Sequence, residues 1–540
     1  MFATCRAFAV TLVVVVACGG PHDPPTDGGF PDGGLLVCAT DASSPGLAAA
    51  VAAASDGTTI SICAGIYPER VVISGKRLAL VGMEGAARTV IDGGGEGPVL
   101  TIIDGADVTL RGLTIQNGIA DEGGALLCEA SKLALTDSVL RDSRAEDGGG
   151  AALLRACHGV VTGNEIVGNH ARVGGGITVI GGALALTGNT IAENEASNDG
   201  GGIYLRHADG TVFQSNHVHH NRGGDDGGGV RIFETAMTLV DNLVEDNTTV
   251  DGGGGIRVSH VPSVFLANVI RNNDAGGTGG GLDMDNDAST VMGGEISGNH
   301  ASGSGGGIYH WLGPWHGAVL SGIRIADNRA HRGGGIFLDD NFEPVTMVGL
   351  VVAGNRADKG GGLMVRGTHY TIRNSIFVGN EGGRGGAIYA GVNSATSSWD
   401  QPCPPCPPTE PVGRIDFTTF HGNEADEGAA LWIDTARVTV ASSIVSASDG
   451  PAVTVRSPPG RPGALTPPRW IYNDTFPATF TGMADPTGRD GNLSAPPRFA
   501  DAAAGNFRLG SGSVCIDAGD PAMRDPDGSR ADMGSFGGPQ

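Results

Sequence analysis

Runs of glycine return along this chain about every 26 residues, and most of them open onto an apolar residue. A fixed period of this length is typical of a solenoid, in which each repeat buries its apolar side chains only against its neighbours. The third residue of each run is Ala125, Gly150, Gly176, Gly202, Gly229, Gly255, Gly281, Gly307, Gly335, Gly362 or Ala387. The recurrence therefore predicts a repeat protein with one narrow, continuous core.

Each repeat has an internal pattern of three short apolar segments. An apolar–x–apolar triplet follows the glycines, as in Ile177-Thr178-Val179, a second follows at residues 183–186, and a third ends near Asn194. Alternation with a period of two is typical of β-strands. Leucine-rich repeats need regular leucines, and propeller blades need about 40 residues. The pattern predicts an all-β parallel β-helix of about 14 coils with three strands each, forming a rod about 65 Å long.

Polar residues recur seven or eight positions before each third glycine. They are Asn117, Asp142, Asn169, Asn194, Asn221, Asn247, Asn273, Asn299, Asn328, Asn355 and Asn380, and a shorter series holds Asn164, Asn189, Asn216, Asn242 and Asn268. Asparagine tolerates the left-handed turn conformation, and stacked amides bond each other in cross-β ladders. We therefore expect two asparagine ladders at turns of the coil.

Composition limits the function classes. The 540 residues include 93 glycines and carry a net charge of −24. Nucleic acid needs clustered Lys and Arg, so a nucleic-acid partner is not expected. Direct binding of acidic polysaccharides is also disfavoured unless calcium bridges the charges.

The amino terminus has the layout of an export signal. Residues 8–17 form an apolar run that is too short to span a bilayer. The run ends Val15-Val16-Ala17-Cys18, which resembles a bacterial lipobox. That resemblance implies a signal peptide over residues 1–17, lipidation of Cys18, and, with Gly19 next, an outer-membrane or cell-surface address. The alternative is an ordinary signal peptide cleaved nearby. Residues 18–36 are predicted to be a flexible tether.

The remaining cysteines fit export. We expect Cys38 to pair with Cys63 and Cys128 with Cys157, in adjacent strands and neighbouring coils. Cys403 and Cys406 form a CPPC within the proline-rich insert at 394–412, where a stapled loop is favoured over a redox or zinc site. Cys515 is left over.

Both ends of the predicted coil region, residues 37–456, differ from the repeats. Residues 45–55 are alanine-rich and predict a short capping helix, which covers an otherwise unpaired sheet edge. This opening, with Thr58-Thr59-Ile60 and residues 64–69 (AGIYPE), resembles the start of pectate-lyase-like right-handed β-helices. The closing residues 512–540 resemble the terminal signature of the choice-of-anchor Q family, so 457–540 is predicted to be a capping segment. The glycine repeats also resemble polymorphic outer-membrane-protein repeats. None of these resemblances supplies a catalytic residue.

One residue of each post-glycine triplet is predicted to point outward. This column holds Thr178, Tyr204, Arg231, Arg257, Asp283, Tyr309, Phe337, Met364, Tyr389 and Trp432. Aromatic and Arg side chains in a row suit sugar rings or a partner protein. Stacking that stiffens the rod is the alternative. The predicted ligand-binding face is Tyr204, Arg231, Arg257, Tyr309, Phe337 and Tyr389.

Acidic residues gather in the same region. Asp283, Asp285 and Asp287 precede Asp339 and Asp340 by two coils, about 9.6 Å, which is near the upper limit for an inverting carboxylate pair. The candidate catalytic set is Asp283, Asp285 and Asp339, with Arg257, His310 and His316 as assisting groups. Calcium on Asp283, Asp285 and Asp287, or turn aspartates without a ligand, are the alternatives.

Two other clusters are candidate metal sites. Asp525, Asp527 and Asp532 suggest a calcium loop, although the rest of an EF-hand is missing and a hydrogen-bonded turn is favoured. His217, His219 and His220 lack a nearby carboxylate in the sequence, so an exposed polar row is favoured.

These patterns predict a lipid-anchored, surface-displayed right-handed parallel β-helix that adheres to a glycan or protein without catalysis. The rival function is a lyase or hydrolase acting on an extracellular polysaccharide, and the third is a purely structural envelope protein. Fold alone does not choose among them.

Overall fold

The structure is a computed structural model that describes residues 34–39, 46–311, 317–340, 343–391, 412–434, 436–456 and 467–539. Within these residues the chain winds into stacked coils, and each full coil passes through four parallel sheets, named here sheets I, II, III and IV in chain order. Isoleucine, valine and leucine alternate inward on sheets I, II and IV and form one core along the rod.

The strands are very short. Sheet I contains Leu35–Val37, Thr58–Ile62, Arg77–Gly82, Asp107–Arg111, Lys132–Thr136, His158–Thr162, Leu184–Thr187, Val212–Gln214, Thr238–Val240, Val264–Leu266, Thr290–Met292, Val319–Ser321, Val345–Val348, Tyr370–Arg373, Val412–Asp416, Arg437–Ala441 and Arg469–Ile471. Sheet II contains Gly65–Tyr67, Thr89–Asp92, Thr114–Gln116, Val139–Arg141, Glu165–Val167, Thr190–Ala192, His217–His219, Leu243–Glu245, Val269–Arg271, Glu295–Ser297, Arg324–Ala326, Val351–Ala353, Ile376–Val378, Thr419–His421, Ile444–Ser446 and Asp474–Phe476.

The other two sheets complete the coil. Sheet III contains Ile119–Glu122, Arg144–Gly148, His170–Ala171, Glu195–Ala196, Arg222–Gly223, Thr248–Thr249, Asp274–Ala275, His300–Ser304, Arg329–Arg332, Arg356–Lys359, Glu381–Arg384 and Glu424–Glu427. Sheet IV contains Val71–Ser74, Leu100–Ile103, Leu126–Glu129, Ala152–Arg155, Ile177–Ile180, Ile203–Arg206, Val230–Phe233, Ile256–Ser259, Leu282–Asp285, Ile308–Trp311, Ile336–Asp339, Leu363–Arg366, Ile388–Gly391, Leu431–Asp434, Val453–Arg456 and Phe480–Thr481. An antiparallel pair, Phe499–Asp501 and Asn506–Leu509, follows the last coil.

The structure corrects two details of the predicted coil. A coil has four strands rather than three, because the segment between the ladder asparagine and the glycines forms sheet III, whose apolar content is too small to be recognised. The coils number about 16 rather than 14, since sheets II and IV each hold 16 strands. The additional coils lie outside the glycine repeat, and sheets I, II and IV run on past residue 456 to Thr481.

Both predicted asparagine ladders are present and buried. In each step an asparagine side chain donates to the next Oδ1, as from Asn194 to Asn221 at 3.0 Å, and to a backbone carbonyl one coil earlier. The left-handed residue is the one before the asparagine, such as Glu193 or His220. Asn117 and Asp142 take that preceding position, so they are not ladder members as predicted; Ser143 is the ladder residue of its coil.

The capping helix is Leu47–Ala53, and it packs Leu47, Ala50 and Val51 against the first coils. Helix ends leave backbone groups without partners. Here the Glu69 carboxylate accepts from the N–H groups of Leu47 and Ala48, and Lys76 Nζ donates to carbonyls at the other end. Across the described residues, no helix is long and apolar enough to cross a membrane.

The carboxyl-terminal segment packs on the side of the last coils as well as following them. Gly534 donates its N–H to Ser442, and Ser535 bonds Thr419. Cys515 and Met533 form a small second core with Ile444. The segment thus covers the outside of sheet II at the last coils.

Candidate ligand-binding groove

The outer column, made of the second residue of each sheet IV strand, is mostly covered. The residue before each glycine run folds over it. Thr178 Oγ1 donates to the Val173 carbonyl at 2.9 Å, and Trp432 Nε1 donates to the Glu427 carboxylate at 3.2 Å. The column therefore lies in a closed corner between sheets III and IV rather than on an open face.

From Tyr309 to Trp432, the outer column is a cluster of mainly aromatic side chains. Phe337, Met364, Tyr389 and Trp432 are buried and Tyr309 packs against them. The Tyr389 and Trp432 rings stack with centroids 4.3 Å apart, and Arg384 lies 5.7 Å from the Trp432 ring centre. These contacts match the alternative of stacking within the rod. Phe337 and Tyr389 are not available as the exposed ligand contacts that the sequence predicted.

From Arg231 to Asp283, the outer column is part of a network of charged side chains. Arg257 bridges Asp226 at 2.6 Å and Asp285 at 2.9 Å, and Arg231, itself buried, lies 3.8 Å from Asp226. Burial raises the pKa of Asp226 to about 6 despite the two arginines. Tyr204 is partly exposed beside this network. The predicted face thus contributes ion pairs here, with little open surface.

The three predicted catalytic carboxylates do not converge on a cleft. Asp283 is fully buried and accepts from Thr278 Oγ1 at 2.5 Å, and Asp285 is paired with Arg257. Asp339, two coils away, accepts from Nε and Nη2 of Arg366 at 2.5 Å and from the Tyr309 hydroxyl at 3.2 Å. Each carboxylate already has a fixed partner, so the predicted set is not arranged for acid–base catalysis.

The assisting groups are also placed elsewhere. His310 is buried, and burial lowers its pKa to about 4. Asp287 is buried against Ser289, so it does not join Asp283 and Asp285 around a shared ion. Asp340 follows Asp339 in a left-handed turn. His316 lies outside the described residues.

The carboxyl-terminal aspartates form a hydrogen-bonded turn. Asp525 accepts from the N–H groups of Asp532 and Gly538, Asp527 accepts from Ser529, and Asp532 accepts from Asp517. They therefore do not share one calcium position, and their contacts match the hydrogen-bonded turn that the sequence favoured over a calcium loop. In the part of the chain that the structure describes, the one group with clustered ligand atoms is Asp199, Asp225 and Asp226, and Arg231 and Arg257 already supply positive charge beside it.

The histidines of the sheet II row bond one another and Glu245. His217 Nε2 lies 2.8 Å from Glu245, and His219 Nδ1 lies 2.9 Å from His220 Nδ1. These contacts match the interpretation of His217, His219 and His220 as a polar row rather than a metal site.

The disulfide predictions are confirmed where the structure describes them: Cys38 bonds Cys63, and Cys128 bonds Cys157. Cys18, Cys403 and Cys406 lie outside the described residues. Cys515 is buried and its thiol lies 3.3 Å from Asp474, whose charge adds to burial in raising the thiol pKa.

An open groove of about 820 Å³ runs along the outside of sheet III. It crosses six coils, from His300 to Gly450, which is about 24 Å of rod. Its floor consists of small residues and its two rims of polar ones. The floor is Ala301, Ala330, Ala357, Gly382 and Ala425; one rim is His300, Arg329, Arg356, Glu381 and Glu424, and the other is Ser302, His331, Asp358, Gly383 and Asp426.

The groove is electrically divided along its length. His300, Arg329, His331 and Arg356 lie at one end, and Glu424, Asp426 and Asp449 lie at the other. Between the ends, Arg356 pairs with Glu381, and His331 Nδ1 lies 2.7 Å from Asp358. The rims thus offer hydrogen-bond donors and acceptors at coil spacing, about 4.8 Å.

Strand length explains why the groove begins where it does. Sheet III strands have two residues from His170–Ala171 to Asp274–Ala275, and four or five from His300–Ser304 onward. The third glycine or alanine of the run comes seven residues after the ladder asparagine from Asn328 to Asn423, and eight residues after it from Asn194 to Asn299. The groove follows the longer sheet III strands, and it includes His300–Ser304, whose coil has the longer connection.

Sequence reasoning missed this groove although a signal exists. Each ladder asparagine is followed by a polar residue, usually a charged one, and then in most coils by Ala or Gly, as in Asn328-Arg329-Ala330 and Asn423-Glu424-Ala425. Apolar alternation does not detect this triplet, because its central side chain is small. From sequence alone the segment therefore resembles part of a turn.

Comparison with known proteins agrees with the fold. Residues 102–291 match the family described as right handed beta helix region. A solved structure, the crystal structure of pectate lyase Pel9A, aligns over 93% of this chain and 96% of that chain at 11% identity, with a TM-score of 0.22. A likeness of that size supports no inference about activity. No curated protein matches the sequence. The chain is an all-β, right-handed parallel β-helix of about 16 coils.

Proposed function

We propose that this protein binds an extended glycan strand along the sheet III groove without cleaving it, as a lipoprotein anchored through Cys18 at the outer membrane or cell surface. The groove carries the proposal. Its volume lies within the range of ligand pockets. Its straight course along the rod suits a linear polymer, and its floor is the backbone between two columns of outward side chains, which a sugar ring can approach.

The chemistry of the rims favours a glycan over a protein. Protein interfaces depend on aromatic and aliphatic anchors in desolvated pockets. The groove lining has no aromatic residue and no aliphatic residue larger than alanine. It has instead imidazole, guanidinium and carboxylate groups, which suit the hydroxyl groups of sugars.

Binding without cleavage is favoured because each candidate catalytic carboxylate already has a fixed hydrogen-bond or ion-pair partner. Asp283, Asp285 and Asp339 are engaged by Thr278, Arg257 and Arg366. They also lie on sheet IV, outside the groove lining. The rival function, a polysaccharide lyase or hydrolase, has no comparable geometric support at those residues.

A matched pair of tryptophan variants tests the proposal. Ser302 and Ser197 are both exposed on the sheet III side, three residues after the ladder asparagines Asn299 and Asn194, but Ser302 lines the groove and Ser197 does not. The wild-type chain is screened against neutral and acidic glycans for binding and depolymerisation. Ser302→Trp should weaken the tightest binding at least about tenfold because the indole fills the groove, and Ser197→Trp should leave it unchanged.

Circular dichroism of both variants reports whether they fold. Equal affinity of Ser302→Trp and wild type, with the glycan still bound, would place the site elsewhere. New reducing ends or unsaturated products in the wild-type incubation would instead support the rival function, a hydrolase or lyase.

A further inference from the structure

The outer surface of sheet I carries a long face without charge. It comprises two outward residues from each of eight consecutive strands, from His158–Thr162 to Val345–Val348, and His158 borders it at the first strand. These residues, named here the sheet I face, are Val160, Thr162, Ala185, Thr187, Val212, Gln214, Thr238, Val240, Val264, Leu266, Thr290, Met292, Val319, Ser321, Thr346 and Val348. None of the sixteen is charged, in a chain of which 17% is charged.

The sheet I face also gathers exposed apolar side chains. Val160, Val212, Val264 and Val319 are each 37–39% exposed, and Met292 is 46% exposed. Adjacent ranks stack in register, since Val264 pairs with Thr238 on one side and Thr290 on the other. Contiguous apolar patches of several hundred square ångströms mark interaction sites on soluble proteins.

The size of the sheet I face fits a second copy of the chain. Seven coil spacings by these two side-chain columns, together with the uncharged residues that precede the strands, such as Ala183, Ala236 and Ala288, give roughly 35 Å by 20 Å, or about 700 Å² per copy. A stable interface buries about 800 Å² on each partner, with a wide range. A symmetric pair uses the same patch twice, so a flat face of this area suffices.

The net charge of the chain also favours a second copy as the partner of the sheet I face. Two copies with a net charge of −24 repel each other at most orientations. The sheet I face is a large area where contact brings no like charges together. A basic partner would find no carboxylate here to pair with.

We propose that two copies of this protein pack sheet I against sheet I, with their faces about 10 Å apart as in stacked sheets. Sheets follow one another around the coil in the order I, II, III, IV, so sheet III is opposite sheet I. The pair would therefore point its two grooves in opposite directions, and a polymer-binding dimer of this form can cross-link strands. The association itself does not depend on the groove.

Sedimentation velocity of the purified chain, up to about 100 μM, tests the proposal with a matched pair of variants. Val264 lies near the middle of the face, so Val264→Asp sets two carboxylates close to the two-fold axis. Val72 is 59% exposed on a sheet IV strand and serves as the control. We expect a dimer for wild type and Val72→Asp, and a monomer for Val264→Asp, with at least about a tenfold loss of association.

Salt gives a second readout that does not depend on any variant. Higher ionic strength screens the repulsion between the two acidic copies, so wild-type association should tighten as salt rises. Unfolding curves of the variants separate lost association from lost fold. A wild type that stays monomeric throughout, or a dimer that Val264→Asp leaves intact, would overturn the proposal.

Discussion

At the scale of single residues, buried polar groups depend on close local partners. Asp287 is 1% exposed, and the Ser289 hydroxyl lies 2.9 and 2.8 Å from its two oxygens. Burial raises the pKa of Asp287 to about 7, although the hydrogen bond from Ser289 lowers it. The nearby Asp285 charge adds to the rise. Asp287 is therefore a carboxyl group whose charged form is costly in the folded state.

Replacement of Asp287 should change how stability depends on pH. The folded pKa is raised above the unfolded value, so the folded chain holds a proton that the unfolded chain releases, and stability is lost as pH rises from about 4 to about 7. Asp287→Asn removes this loss. Relative to wild type, the variant should gain about 2 kcal/mol between pH 5 and pH 8 in urea unfolding. The exposed Asp251→Asn sets the background, and a variant–wild-type difference that is constant with pH would contradict the assignment.

The sequence predicted some residue environments and not others. The asparagine ladders followed from spacing, because an amide that recurs once per coil lies within hydrogen-bond reach of its copies in the neighbouring coils. The burial of Phe337 and Tyr389 did not follow, because alternation places a side chain outside the main core and does not report what covers it. The covering residues, such as Lys359 and Arg384, are long charged side chains that a sequence pattern assigns to solvent.

At the scale of elements, the glycine turn between sheets III and IV requires close approach of stacked backbones. A Cβ on Gly228 would lie 2.4 Å from the Gly254 carbonyl and 2.5 Å from the Thr248 carbonyl. These are backbone atoms of the next coil, which is itself packed against a further coil. Alanine takes this position at Ala429, in the coil of the last sheet III strand.

A pair of alanine substitutions separates the middle and third positions of the run. Gly228→Ala should lower the free energy of unfolding by about 3 kcal/mol through overpacking. Gly229→Ala should cost less, about 1 kcal/mol, since its Cβ would approach one backbone oxygen, that of Gly255 at 2.7 Å, and this chain already has Ala125, Ala387 and Ala430 at the third position. Urea unfolding followed by circular dichroism makes the comparison, and equal losses for the two variants would contradict this account of the turn.

At the scale of the whole molecule, the repeat determines more than the individual site residues do. The period of about 26 residues correctly predicted stacked parallel coils, because each repeat has to bury its apolar residues on a neighbour. It could not show which of the outward surfaces is concave. The sheet III groove lies where the sheet III strands lengthen from two residues to four or five, and this change leaves the period almost unaltered.

The location of a bound glycan tests the central claim most directly. A crystal structure of the chain soaked with the tightest-binding oligosaccharide of the screen would show it. The account predicts sugar rings along sheet III between His300 and Asp449, with hydroxyl groups bonded to rim side chains such as Arg329 and Asp426. Sugar bound instead over the outer column of sheet IV or on the sheet I face would contradict it.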